Sequence, residues 1–114
     1  DSLYDATGCI AAIADDHEVV AVAGAPKKQF VEKRLSEQAE DIMKSRETLV
    51  SNVPNENPVV DNAQFESQVM APIHAGDEPQ GLVVLMSKEP RQMGSTETKL
   101  VETAAAFLGK QLLQ

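Results

Sequence analysis

The chain has a single cysteine, Cys9, so no disulfide can form within it, which fits a reducing cytoplasm. It has no apolar run near the roughly 18 residues that a bilayer crossing demands, so no membrane role is expected. Cations are scarce: 10 Lys and Arg stand against 18 Asp and Glu, a formal charge of -8. Such a surface repels a phosphate backbone, so this chain alone is not expected to bind DNA. There is no G-x-S-x-G elbow, no phosphate loop and no Cys/His metal spacing. The residues therefore name no enzyme, no metal and no cofactor. Asp1 opens the chain without an initiator Met, a basic segment or the apolar core of an export signal. The expectation is a fragment of a longer cytoplasmic protein.

What is present reads as one globular domain over residues 1–114, with 42% hydrophobic residues. Gly8 to Ala14 (GCIAAIA) and Val19 to Ala23 (VVAVA) flank the polar Asp15-Asp16-His17-Glu18, the pattern of a β-hairpin. Pro26 suits the first turn of a helix, and the pattern is helical from there to about Arg46. Val31, Leu35 and Ile42 form its apolar stripe, with Ala39 and Met43 at the margin. Thr48 to Val50 suggests a short strand. Ser51 to Glu66 (SNVPNENPVVDNAQFE) has no period and reads as a long loop, the kind that serves as a lid or binding loop.

Val69 to Ala75 reads as a strand in which Pro72 demands an edge or a bulge. Gly76 to Pro79 is a turn. Gly81 to Ser87 (GLVVLMS) does not alternate, so both its faces should be covered. The last helix should run from about Thr96 to Leu113, with Ser95 as its cap and Glu97 complementing its dipole. Its apolar residues Leu100, Val101, Ala104, Ala105, Phe107, Leu108 and Leu112 cover roughly 160° of the circumference, wider than one packing face needs. The surplus points to a second buried surface, such as a partner helix. The order β-β-α-(β)-loop-β-β-α predicts an α/β (α+β) fold: an antiparallel sheet between helical layers.

Pro72-Ile73-His74-Ala75-Gly76, followed by Gly81-Leu82-Val83-Val84-Leu85, resembles the hairpin of GAF domains. A closing helix with Leu100, Ala104 and Leu108 suits the same family. Ser2 to Cys9, Val19 to Phe30, Arg34 to Asp41 and Met70 to Ile73 are similar to the C-terminal GAF-type sensor domains of AbrB-family sporulation regulators. That resemblance implies a GAF/PAS-like sheet with helices on both faces. It also implies an N-terminal DNA-binding domain absent from this chain, a role in activating or repressing transcription, and self-association as a homodimer or, in the full-length protein, a tetramer. The Asn-Lys-Phe-Asp-Glu signature that accompanies cyclic-nucleotide binding in some GAF domains is missing.

The expected function is therefore to sense an unidentified small-molecule effector and relay it to the DNA-binding domain. The alternative is a degenerate GAF domain that only oligomerises. The effector should lie between the sheet, the helix of residues 27–46 and the loop of residues 51–66, against Asn55, Phe65, Gln68, Met70 and His74. Self-association should use Leu100, Ala104, Phe107, Leu108 and Leu112. Cys9 on a strand of small residues reads as a small buried hydrophobe rather than a redox thiol. The cluster Lys27, Lys28, Lys33 and Arg34 reads as a solvated face, with an anionic ligand or DNA as the functional alternative.

Overall fold

The structure is a computed structural model, and it describes residues 8–113. The first two apolar runs form strands β1 (Ile10–Ala14) and β2 (Val19–Ala23), paired antiparallel. The acidic tip between them braces itself. Asp15 Oδ1 accepts the backbone N–H groups of His17 and Glu18, each at 2.8 Å. Burial works to raise the Asp15 carboxyl, but those two hydrogen bonds and the nearby His17 outweigh it, and it lies below its ordinary value.

Strands β3 (Leu49–Ser51), β4 (Ser67–Ala75) and β5 (Glu78–Ser87) complete a five-stranded antiparallel sheet in the order β2-β1-β5-β4-β3. Gly76 and Asp77 join β4 to β5, and of the two only Gly76 has positive φ (63°), the pattern of a type II′ turn. Strand β5 lies between β1 and β4, so its apolar run meets protein on both faces. Strand β3 begins opposite Met70, and β4 runs on past it. Beyond it β4 has an open edge, where Pro72 sits one residue before a bulge at Ile73/His74. The edge and the bulge that Pro72 demands are thus both present.

Alternation along the strands splits the core in two. Ile10, Ala12, Ala14, Met70, Leu82, Val84 and Met86 face one way, under helix α1 (Glu37–Ser45) and the long loop. Cys9, Ala11, Val69, Ala71, Ile73, Val83 and Leu85 face the other, under helix α2 (Ser95–Leu112). Fully burying an aliphatic or Met side chain contributes about 1.5–3 kcal/mol, so both layers contribute substantially to stability. The lead-in over residues 1–7, expected to end an upstream helix, lies outside the described residues.

Two sequence expectations need correction. Residues 27–46 are not one helix. Lys27–Gln29 make a single 3₁₀ turn, Phe30 drops into the core, and Glu32 takes a left-handed conformation (φ 71°). The next residues then run alongside the start of β2: Val19 N–H donates to the Lys33 carbonyl (3.0 Å) and Leu35 N–H to that of His17 (2.9 Å). Pairing with a strand edge far back in the sequence outweighs the helical spacing of Val31, Leu35 and Ile42. Helix α1 starts only after Ser36, whose hydroxyl accepts the Ala39 N–H at 3.0 Å. Its buried residues are Ala39 and Met43, while Ile42 is only partly covered. The cap of α2 is Gly94, not Ser95, which is already helical. The Glu97 carboxylate takes the Gly94 N–H at 2.8 Å and so does the capping from inside the first turn.

Candidate functional site

The long loop, residues 52–66, is irregular but tied down along its length. Three asparagines in it, Asn55, Asn57 and Asn62, adopt positive φ, which their short polar side chains tolerate. Asn55 closes the loop on itself: its N–H donates to the Phe65 carbonyl (3.0 Å) and its Oδ1 accepts the Phe65 N–H (2.8 Å). Gln68, fully buried on β4, donates through Nε2 to the carbonyls of Glu56 (2.9 Å) and Asn57 (2.6 Å). Ser36 donates its hydroxyl to the Pro58 carbonyl at 2.5 Å and its N–H to that of Val59 at 2.9 Å. Asn52 brackets the Met93 backbone with both ends of its amide.

These tethers press Val59, Val60 and Phe65 onto the sheet, where they are buried with Met70 and Met43. The space expected for an effector between sheet, α1 and loop therefore holds protein side chains. Of the five residues proposed to line it, Phe65 and Met70 share that apolar layer. Asn55 and Gln68 hold the loop. His74 lies apart, near the far end of β4 and beyond the last residue that pairs with β3. It lines a shallow cavity of about 230 Å³ at the open edge of β4, with Arg46, Thr48 and Glu102. Its Nε2 is buried without a hydrogen-bond partner among the described residues.

A larger opening, about 450 Å³, lies where the 3₁₀ turn meets the loop, and Lys28, Lys33 and Lys88 line it. Sequence reasoning had grouped Lys28 and Lys33 but missed Lys88, which only the tertiary fold brings to them. Cys9 is buried, and Arg91 bridges it to Glu97: one guanidinium nitrogen lies 3.2 Å from Sγ and the other 3.0 Å from Oε2. Hydrogen bonding from the Gly94 N–H, chiefly, and then Arg91 hold the Glu97 carboxyl below its ordinary value despite its burial. Among the described residues, no three His, Cys, Asp or Glu side chains cluster as a metal site would need.

Helix α2 buries Val101, Ala105 and Gly109 on the sheet. Gly109 allows the close approach, since a Cβ there would run into the His74 carbonyl oxygen. Ala104 and Leu108 are partly covered and pack against the same core, and Leu100 is half-buried. Phe107 and Leu112 project outward, 61% and 57% exposed. Among the described residues, no helix is long and apolar enough to cross a membrane.

A five-stranded antiparallel sheet with a helix and a loop on one face and one long helix on the other is the architecture of GAF domains. The GAF domain of a phosphoenolpyruvate-protein phosphotransferase from Coxiella burnetii matches 96% of this chain and 75% of its own, with a TM-score of 0.78 at 17% identity. A methyl-accepting chemotaxis protein (residues 122 to 287) gives 0.77 at 14% identity, over 98% of this chain and 82% of its own. A red/green cyanobacteriochrome in its red light-absorbing state gives 0.73 at 17% identity, over 99% and 88%. At such identities the likeness concerns the fold alone.

The sequence places the chain more narrowly. It belongs to the family described as stage V sporulation protein T C-terminal, transcription factor, whose model matches residues 1–113. It is 36% identical over 116 residues to stage V sporulation protein T of Bacillus subtilis (strain 168). The match takes in the whole of this chain and 65% of that relative's length.

Proposed function

We propose that this domain is the regulatory, self-associating part of a sporulation transcription regulator. It pairs with a second copy through the outer face of α2, and that pairing sets the disposition of a DNA-binding domain elsewhere in the full-length protein. The observation that carries this reading is the apolar surface that α2 leaves uncovered. Phe107 stands in water on the side away from the buried Val101, Ala105 and Gly109, and Leu112 stands in water at the helix end. The charge of -8 argues that any contact with DNA is made elsewhere in the full-length protein.

The test is Phe107→Glu with Leu112→Glu, followed by light scattering after size exclusion. Both side chains are exposed, so the fold should survive, with stability within about 0.5 kcal/mol. The expected product is a folded monomer where the parent is a dimer, and an unchanged dimer would overturn the reading. Ala104→Glu or Leu108→Glu is a poorer probe, because both residues also pack on the sheet.

Effector sensing beneath the loop is the second reading. Its support is the loop's dependence on a few polar tethers, which a ligand can exchange. Entry there requires Val59, Val60 and Phe65 to leave the sheet. Native mass spectrometry of the purified protein tests it: a small molecule that departs only on denaturation supports it, and a bare protein counts against it.

A further inference from the structure

The cleft between the 3₁₀ turn and the long loop stands out against the charge of the whole. The chain carries -8, yet Lys28, Lys33 and Lys88 line this one opening against a single carboxylate, Asp61, so the local balance is 3 − 1 = +2. The three lysines come from three separate places. Lys28 lies in the 3₁₀ turn, Lys33 in the segment paired with β2, and Lys88 directly after β5. Bringing three ammonium groups to one concave surface is unfavourable unless something negative sits among them.

Asp61 offsets one of the three charges, and two remain without a carboxylate in the lining. The ion pairs among the described residues are His17–Asp16, Arg46–Asp77 and Arg91–Glu97, and none of the three lysines belongs to them.

The backbone under the cleft is fixed. The Lys33 carbonyl accepts the Val19 N–H at 3.0 Å, the Ser87 carbonyl beside Lys88 accepts the Glu66 N–H at 2.7 Å, and Phe30 and Val60 are buried in the floor. The far rim holds Asn62, at φ 69°, and Gln64, whose amides add neutral donors. At about 450 Å³ the opening is within the range of small-molecule sites. Lysine acts as a point charge with three rotatable donors, without the planar fork by which arginine grips a carboxylate. Three such donors around a space of this size suit a compact tetrahedral oxyanion.

We propose that this cleft binds a small phosphate-bearing anion, held by Lys28, Lys33 and Lys88. The site lies on the sheet face away from α2, so it is independent of the self-association surface.

Inorganic pyrophosphate is the probe, titrated calorimetrically into the 114-residue chain at low ionic strength. Three proteins are compared: the parent, the variant Lys28→Gln/Lys33→Gln/Lys88→Gln, and the control Lys44→Gln/Lys99→Gln/Lys110→Gln. The control removes the same charge from exposed positions on α1 and α2. The expected result is one site per chain, weakened roughly tenfold or more by the cleft substitutions and by no more than about twofold in the control. Lys88→Gln alone, lying outside the strands, should show a smaller loss in the same direction and serves if the triple variant folds poorly by circular dichroism. Absence of binding to the parent, or equal losses in the two triple variants, would overturn the proposal. Duplex DNA that binds more tightly than pyrophosphate with the same lysine dependence would also overturn it, by making the cleft a nucleic-acid surface.

Discussion

The two faces of the sheet are sealed by different means. Under α2 the seal is regular: one helix, small side chains and a glycine that lets the backbones nearly touch. Under α1 and the long loop it is irregular. Apolar side chains from a segment without secondary structure are pressed down by a handful of hydrogen bonds from Asn55, Gln68 and Ser36. A helix satisfies its own backbone and needs only shape. A loop over a core has no such internal ladder, so its carbonyls need side chains or water. The contrast predicts that polar substitutions damage the loop face and that added bulk damages the helix face.

The sharpest test is Gln68→Ala. It strips two carbonyls of their donor and leaves a void in a fully buried position, and it should cost about 3 kcal/mol in denaturant unfolding. The damage should be local, with amide exchange of loop residues 53–65 accelerating before that of α2. Equal acceleration in α2 would erase the distinction between the faces.

Next comes Gly109→Ala. Alanine is the better helix former by roughly 1 kcal/mol, yet its Cβ would push α2 off the His74 carbonyl. A net loss of about 2 kcal/mol is expected from thermal unfolding, and a gain would show that the seal is looser than described.

The smallest effect concerns Glu97. Its carboxyl lies below the ordinary value of 4.5, so its contribution is present above that pH and lost as pH falls through the lower folded value. Glu97→Gln should cost about 0.5–1 kcal/mol at neutral pH. It should also flatten the acid limb of the stability profile as pH falls below the ordinary carboxyl value of 4.5, and an identical limb in both proteins would remove Glu97 as the cause.

Most of this fold was legible in the residues. The four long strands follow from short apolar runs set off by Asp15–Glu18 and by Gly76, and the double burial of β5 follows from its unbroken run. The wide stripe of α2 pointed to apolar surface beyond what the sheet covers, and Phe107 and Leu112 are exposed.

What escaped was non-local. Val31, Leu35 and Ile42 keep helical spacing over a segment whose backbone is claimed by His17 and Val19. No local pattern reveals a partner that far back in the chain. The candidate ligand residues scattered for a related reason. Gln68 on an apolar strand and Asn55 in an amide-rich loop suggest a ligand until their partners are seen: the Glu56 and Asn57 carbonyls for Gln68, and the Phe65 N–H for Asn55. His74 was grouped with Met70 by strand alternation, but it lies near the end of β4, where β3 no longer pairs and the loop tethers do not reach. Lys88 reaches the cleft of Lys28 only because β5 ends there.

Pro72 has a bearing on how such a domain keeps to its own company. A sheet invites further strands at its two margins. At the β2 margin the backbone of Lys33 and Leu35 already takes up the bonds at His17 and Val19. At the β4 margin, where the pairing with β3 has stopped, a ring nitrogen stands in place of a donor. The β4 margin and the start of the β2 margin thus discourage a stray chain from adding itself to the sheet. Open sheet edges are the usual route to unwanted edge-to-edge pairing, and here that route is narrowed.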